Sequence, residues 1–288
     1  WQLFFGRGLV STPSDFGTQG QLPTHPELLD WLARHFMSSG WDVKGLCKLI
    51  VLSGTYRQSS VPADPAYYTA DPDNQWLARG PRHRLSAEQI RDNALAASSR
   101  ITQKLGGPSV FPYQPAGLWE ESGTGHHYPQ SHGDDLYRRS LYTFWRRTSP
   151  PPSMISFDAT SREVCTAKRE RTATPLQALV LLNDPQFVEA SRLLAERILR
   201  EHQDNAGAGI VLAFRILTSR EPRSQELEIL KRLHDDQLKH FQASPEQASA
   251  FLAIGETPRD EKLDTARLAA MAVVAKTLMS FDECVTKR

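Results

Sequence analysis

Cysteine is scarce. Its three copies, Cys47, Cys165 and Cys284, lie far apart and are odd in number. No disulfide framework or CxxC site is therefore written into the chain, and no CxxCH haem-attachment motif occurs. A surplus of charge is equally missing, since 34 Lys and Arg stand against 33 Asp and Glu for a formal net charge of +1. No global field argues for nucleic acid or for an acidic membrane surface, so any anion site must come from local clustering. Long apolar runs are absent too. Leu268 to Leu278 is the longest, is broken by Lys276, and falls short of the roughly 18 residues that a transmembrane helix needs. There is no initiator methionine and no signal peptide. "WQLFFGRGLV" opens apolar and aromatic and reads as the interior of an element, so the expectation is a fragment of a longer polypeptide.

What is present is a globular composition, 40% hydrophobic and 23% charged, with many helix starts. Thr24 and Glu27 have capping-box spacing ahead of a stripe of Leu28, Leu29, Trp31, Leu32 and Phe36. Asp42 caps the next helix, whose stop is Gly54. "SAEQ" at 86–89 opens a third helix, read as running to about Leu105. Residues 107–135 hold no period and read as a long ordered loop. "RRSLYTFWRRT" at 138–148 reads as a short strand, with "SMISF" at 153–157 as its partner or as extended chain. Thr174, Pro175 and Gln177 form the next helix start. Asp184-Pro185 restarts a second helix, and four more follow, one of them with Ser224 as its cap. The expected fold is mainly α: a helical bundle with a small two-stranded β element and long ordered loops. Its parts are an N-terminal helical part (1–106), a loop-rich part with short strands (107–172) and a C-terminal helical bundle (173–288), integrated into one domain.

Four groups of residues carry chemistry. Arg162, Lys168, Arg169 and Arg171 crowd the helix start at Thr174, with Arg146 on a neighbouring segment. The positive end of a helix repels cations, so a negative partner is expected. It is either an external sulfate, phosphate or uronate, or an internal carboxylate such as Asp158, Glu163 or Glu170. The loop "GLWEESGTGHHYPQSHGDD" gathers His126, His127, His132 and Asp134, which are metal-ligand and acid–base residue types. Their spacing matches no motif of known mechanism, and a polar surface loop is the plainer reading. Asp15, Gln19 and His25 sit in a Gly-rich stretch that lacks the GK[ST] of a phosphate-binding loop. Asp158 and Glu163 have the residue types of a glycosidic carboxylate pair, while nearby Cys165 is expected to be buried and inert.

Several strings occur together and in order: "WQLFFGRGLVSTPSDFGTQGQLPTHPELLDWLA", "LIVLSGTYRQSS", "LARGPRHRLSAEQIRD", "DLYRRSLYTFWRRTSPPPSMISFDATSREVC" and "RTATPLQALVLLNDPQFVEA". Together they resemble the planctomycete- and verrucomicrobium-type domain of unknown function called the PSD-one domain. The likeness extends through the closing "SFDECVTKR". It implies an exported protein of the periplasm or cell envelope in which the domain stands C-terminal to a c-type cytochrome module. Haem c would then sit on that upstream module, with no cofactor in this chain. The resemblance carries no chemistry. The expected function is a binding or scaffolding module with an Arg-rich anion site, its partners the other domains of the polypeptide and an anionic polysaccharide. The alternative is an enzyme on acidic or sulfated polysaccharide, with Asp158, Glu163, His126 or His127 as acid or base.

Overall fold

Caps and apolar stripes decide where the helices of this chain begin and which side they bury. A computed structural model describes residues 1–123, 125–202 and 205–287. Among them the protein is mainly α-helical, with one two-stranded antiparallel sheet. The chain forms two compact units. The first comprises Trp1–Arg84, Cys165–Arg169 and the chain from Thr286; the second comprises Leu85–Val164 and Glu170–Val285.

The first unit contains α1 (Gln2–Phe5), α2 (Pro26–Ser38), α3 (Val43–Leu52) and α4 (Ala66–Ala70). It also holds the sheet of β1 (His83–Arg84) paired with β2 (Thr286–Lys287). Asp42 caps α3 as its sequence demands, accepting from the Gly45 N–H at 2.9 Å. The cap of α2 is His25, not Thr24. Thr24 is drawn instead to the Leu9 carbonyl, to which its N–H donates at 2.8 Å and its hydroxyl at 3.3 Å. Pro26 then occupies the favoured first helical position. The core of this unit is small: Phe5, Leu9 and Ile50 are buried. Trp1 stacks on Phe5 at 4.2 Å, and Tyr56 meets Phe4 and Phe5 edge-on. No residue of α2 is buried, and its Trp31 is 51% exposed.

The second unit is built on two helices. α5 (Ala87–Ala97) opens on a Ser86–Gln89 capping box and stops eight residues before Leu105. The chain leaves it through Ser99, which has φ +58°. α6 (Leu118–Glu121), α7 (Pro152–Ser156) and α8 (Pro175–Asn183) are short. α9 (Pro185–Glu201) follows directly, with Asp184 accepting from the Gln186 N–H at 3.0 Å. α10 (Ala206–Thr218), α11 (Ser224–Ala243), α12 (Pro245–Leu252), α13 (Thr265–Met279) and α14 (Asp282–Val285) complete the unit. The cap of α11 is Arg223, with Ser224 as the first helical residue. α13 is the run that is too short to cross a membrane. It is apolar on nearly every side, and Leu268, Met271 and Val274 are fully buried, as expected of a central core helix. Its alanines let α9 approach with Leu194, Ala195 and Ile198, all fully buried. Each such Leu or Ile contributes roughly 1.5–3 kcal/mol by leaving water.

The strand expected over 138–148 does not form. A short 3₁₀ turn at Gly133–Tyr137 precedes the segment, and another at Ser140–Tyr142 lies within it. Its ladder contacts among the described residues are single bridges, Thr102 to Arg138 and Val110 to Thr143. "SMISF" is likewise helical, within α7. Buried guanidinium groups replace a β ladder as the organising force. Arg91 donates to the carbonyls of Leu136 and Arg138 and to Gln186 Oε1, each at 2.8 Å. Fully buried Arg138 donates to the carbonyls of Pro108, Lys104 and Gly106. A guanidinium has five donors in a fixed fork, so two arginines fix much of the backbone between 104 and 142. Burial lowers the Arg91 group to about 10, with Asp92 and Asp184 opposing.

Candidate functional site: a cationic pocket and an apolar groove

Among the described residues, a sizeable concavity lies in each unit. In the first unit, a pocket of about 650 Å³ is lined by four cationic side chains, Arg7, Arg79, Arg82 and Lys168, against a single carboxylate, Asp73. Loop glycines make the pocket possible. A Cβ on Gly6, which has φ +79°, would stand 2.7 Å from His83 Nδ1, and one on Gly80 would strike the Gln58 carbonyl. Arg7 pairs with Asp73 at 2.8 Å, while its Nε is buried with no hydrogen-bond partner. Arg79 is buried, and its guanidinium donates to the carbonyl oxygens of Pro72 at 2.8 Å and Tyr67 at 3.4 Å. It also lies over the Tyr68 ring. The lining also carries the polar side chains of Gln2, Ser11, Gln21, Ser60 and Asn74, beside Phe5, Tyr68 and the prolines Pro13, Pro72 and Pro81. Lys168 is brought in by the segment Cys165–Arg169.

In the second unit, a groove of about 930 Å³ runs along α7 and α8 and the loop after α12. Leu176 and Leu179, 58% and 55% exposed, form its floor with Val180 and Ile254. Pro115, Pro152 and Pro185 stiffen its edges. Asp184 is pushed up to about 6 by burial, partly offset by the Gln186 N–H and by Arg91. His132 Nδ1 meets Glu256 at 2.6 Å. Burial works to raise the Glu256 carboxyl, but the Gly133 N–H and His132 hold it below its usual range. Behind the groove lies a buried carboxylate, Glu189, 1% exposed. It accepts from the hydroxyls of Tyr113 and Tyr137 at 2.9 Å each and from the Thr257 N–H at 2.7 Å. Burial, and then Glu189, raise the Tyr113 hydroxyl far above its ordinary value.

The residues singled out from sequence divide between the units. Lys168 and Arg169 belong to the first; Arg146, Arg162, Arg171 and Thr174 belong to the second. Only Lys168 among them lines either concavity. Arg162 lies over the Trp145 ring at 4.8 Å and Arg146 over Trp119 at 4.5 Å. The Thr174 N–H is taken by Gln177 Oε1 at 3.3 Å. Asp158, with φ +59°, accepts from the Thr172 N–H at 2.8 Å and from its hydroxyl at 3.0 Å. Glu163, His126 and Asp134 are exposed, and His127 pairs with Glu120 at 2.6 Å. Of the weak metal candidates, His132 lines the groove of the second unit. Among the described residues no three of His, Cys, Asp and Glu come together as a metal-holding group. Asp15 caps its own turn at Gly17, while His25 caps α2. Cys165 is exposed, not buried, because its segment carries no apolar stripe to fold under. Sequence reasoning missed Arg7, Arg79 and Arg82; the signal was there in "FGRG" and "LARGPRHR", where arginines alternate with turn-forming glycines.

The family model of PSD1, a protein of unknown function (DUF1553), matches residues 1–234. The chain belongs to this family. No curated protein and no solved structure matches it. The match stops inside α11, whereas the core of the second unit in this PSD1 chain is centred on α13. The folding unit therefore runs past the matched residues.

Proposed function

We propose that this PSD1 chain is a binding module whose cationic pocket holds an acidic or sulfated polysaccharide. The observation that carries this reading is the lining of that pocket, four cationic groups around one carboxylate in a chain of net charge +1. A concave wall of one sign focuses its field on an anion, and guanidinium groups bind carboxylate and sulfate through paired N–H donors. The Gln, Ser and Asn side chains between them match sugar hydroxyls. A volume of about 650 Å³ is in the usual range for a small-ligand site. The pocket thus takes over the role first assigned to the cations beside Thr174. A non-catalytic role is preferred to a polysaccharide-cleaving one, since Asp158 is engaged by Thr172 and Glu163 lies on an exposed segment. Attachment to an exported polypeptide with an upstream haem c module remains part of the proposal. It is supported by the resemblance of the strings quoted above. The apolar face of α2, with no residue buried, gives the other domains of that polypeptide a surface to meet.

The test is titration of the chain with dextran sulfate and with polygalacturonate. Lys168→Glu, at an exposed position, is expected to weaken binding by about tenfold, and more at low salt than at high. Asp73→Asn removes the one carboxylate and is expected to strengthen it. Unchanged affinity in both variants would reject the pocket as the anion site.

A further inference from the structure

The apolar groove of the second unit answers to a different ligand. We infer that it receives an extended peptide segment bearing apolar side chains and a cationic one. Its floor offers Leu176 and Leu179, one helical turn apart and each more than half exposed, as seats for apolar side chains. Its wall holds Gln114, whose amide nitrogen and oxygen are both buried with no hydrogen-bond partner. An unmade bond of this kind is costly, and such groups mark places where something is missing. A side-chain amide presents one donor face and one acceptor face, the complement of a peptide bond. Its terminal torsion is broad, so the amide can present either its donor or its acceptor face to a peptide group that reaches it. A fatty chain would leave both atoms unsatisfied, and a sugar would find little to bond along a leucine and proline floor.

Charge selects the peptide further. The lining contains Asp184 and Glu256, with His132 beside the latter, and no Lys or Arg among the described residues. The groove is therefore acidic where the pocket of the first unit is basic, and a cationic side chain is complementary to it. The three prolines and the capped α8–α9 junction hold the walls rigid, which lowers the ordering penalty of binding.

Titration of the whole chain tests this with defined probes: an acetylated, amidated hexapeptide alternating Leu with Lys, its counterpart alternating Leu with Glu, and dodecanoate. The Lys peptide is expected to bind saturably and about tenfold more tightly than the Glu peptide. Leu179→Lys alters an exposed side chain and should weaken it about tenfold. Gln114→Leu removes the unpartnered amide. It should weaken the peptide about threefold while raising Tm; a merely structural glutamine would raise Tm and leave peptide binding unchanged. Equal binding of the two peptides would overturn the inference, as would wild-type affinity in both variants. Binding of dodecanoate without either peptide would make the groove a lipid site. Self-association lost in Leu179→Lys, with no peptide bound, would make it an interface between copies. Because the groove and the cationic pocket belong to different units, failure here leaves the polysaccharide reading standing.

Discussion

Gly255→Ala should be among the most damaging small substitutions in the chain. Gly255 has φ +101°, and an added Cβ would lie 2.5, 2.6 and 2.7 Å from Cδ, Cγ and Cβ of Glu189. Glu189 cannot give way, because two tyrosine hydroxyls and the Thr257 N–H hold its carboxylate in place. The loop must move instead, which pulls Thr257 from Glu189 and the Glu256 N–H from the Tyr113 oxygen it reaches at 2.6 Å. Backbone strain contributes about 1–3 kcal/mol, and overpacking about 1–3 kcal/mol more. The expected loss is therefore about 2–6 kcal/mol, a large share of a typical ~5–15 kcal/mol stability. Urea unfolding followed by tryptophan fluorescence and far-UV circular dichroism measures it. Adding Glu189→Ala removes the obstructing side chain, so the double variant should be at least about 1 kcal/mol more stable than the two single losses summed. A Gly255→Ala loss below about 0.5 kcal/mol, the level of an ordinary surface change, would refute the reasoning.

Asp184 titrates at about 6 in the fold against 3.8 for the free side chain. Between those values the native state holds the extra proton, so stability falls as pH rises through the window. Asparagine keeps a helix cap without the charge; urea midpoints for Asp184→Asn should gain on the parent from pH 4 to pH 7, and parallel curves would contradict this. Cys165 is exposed, whereas Cys284 is buried with its thiol pushed up to about 12 by burial and then by Glu283. An aromatic disulfide reagent at pH 8 should label Cys165 promptly and Cys284 only at the rate of unfolding; mass spectrometry of peptides reports which is modified.

Local signals carried as far as local physics reaches. Asp42, Ser86 with Gln89, and Asp184 cap helices where their spacing says they should, because a cap needs only the next three residues. Thr24 and Ser224 missed by one position, Thr24 because the distant Leu9 carbonyl claimed it. The aromatic run at 138–148 has strand composition, yet a strand also needs a partner along its length. Arg91 and Arg138 satisfy the surrounding carbonyls in its place. Their burial, like that of Glu189, arises from tertiary partners tens of residues away, and composition alone places such groups on the surface. The cationic pocket was only partly legible for the same reason. Lys168 stood out within a basic cluster, but Arg7, Arg79 and Arg82 lie on two other loops that only folding brings to it.

The anion-binding claim is tested most directly by a crystal structure of the chain soaked with a sulfated disaccharide. The account expects density in the pocket of the first unit, with a sulfate oxygen within hydrogen-bond reach of Lys168 or Arg82. Density against Arg162 and Arg171 at the start of α8, with that pocket vacant, would contradict it.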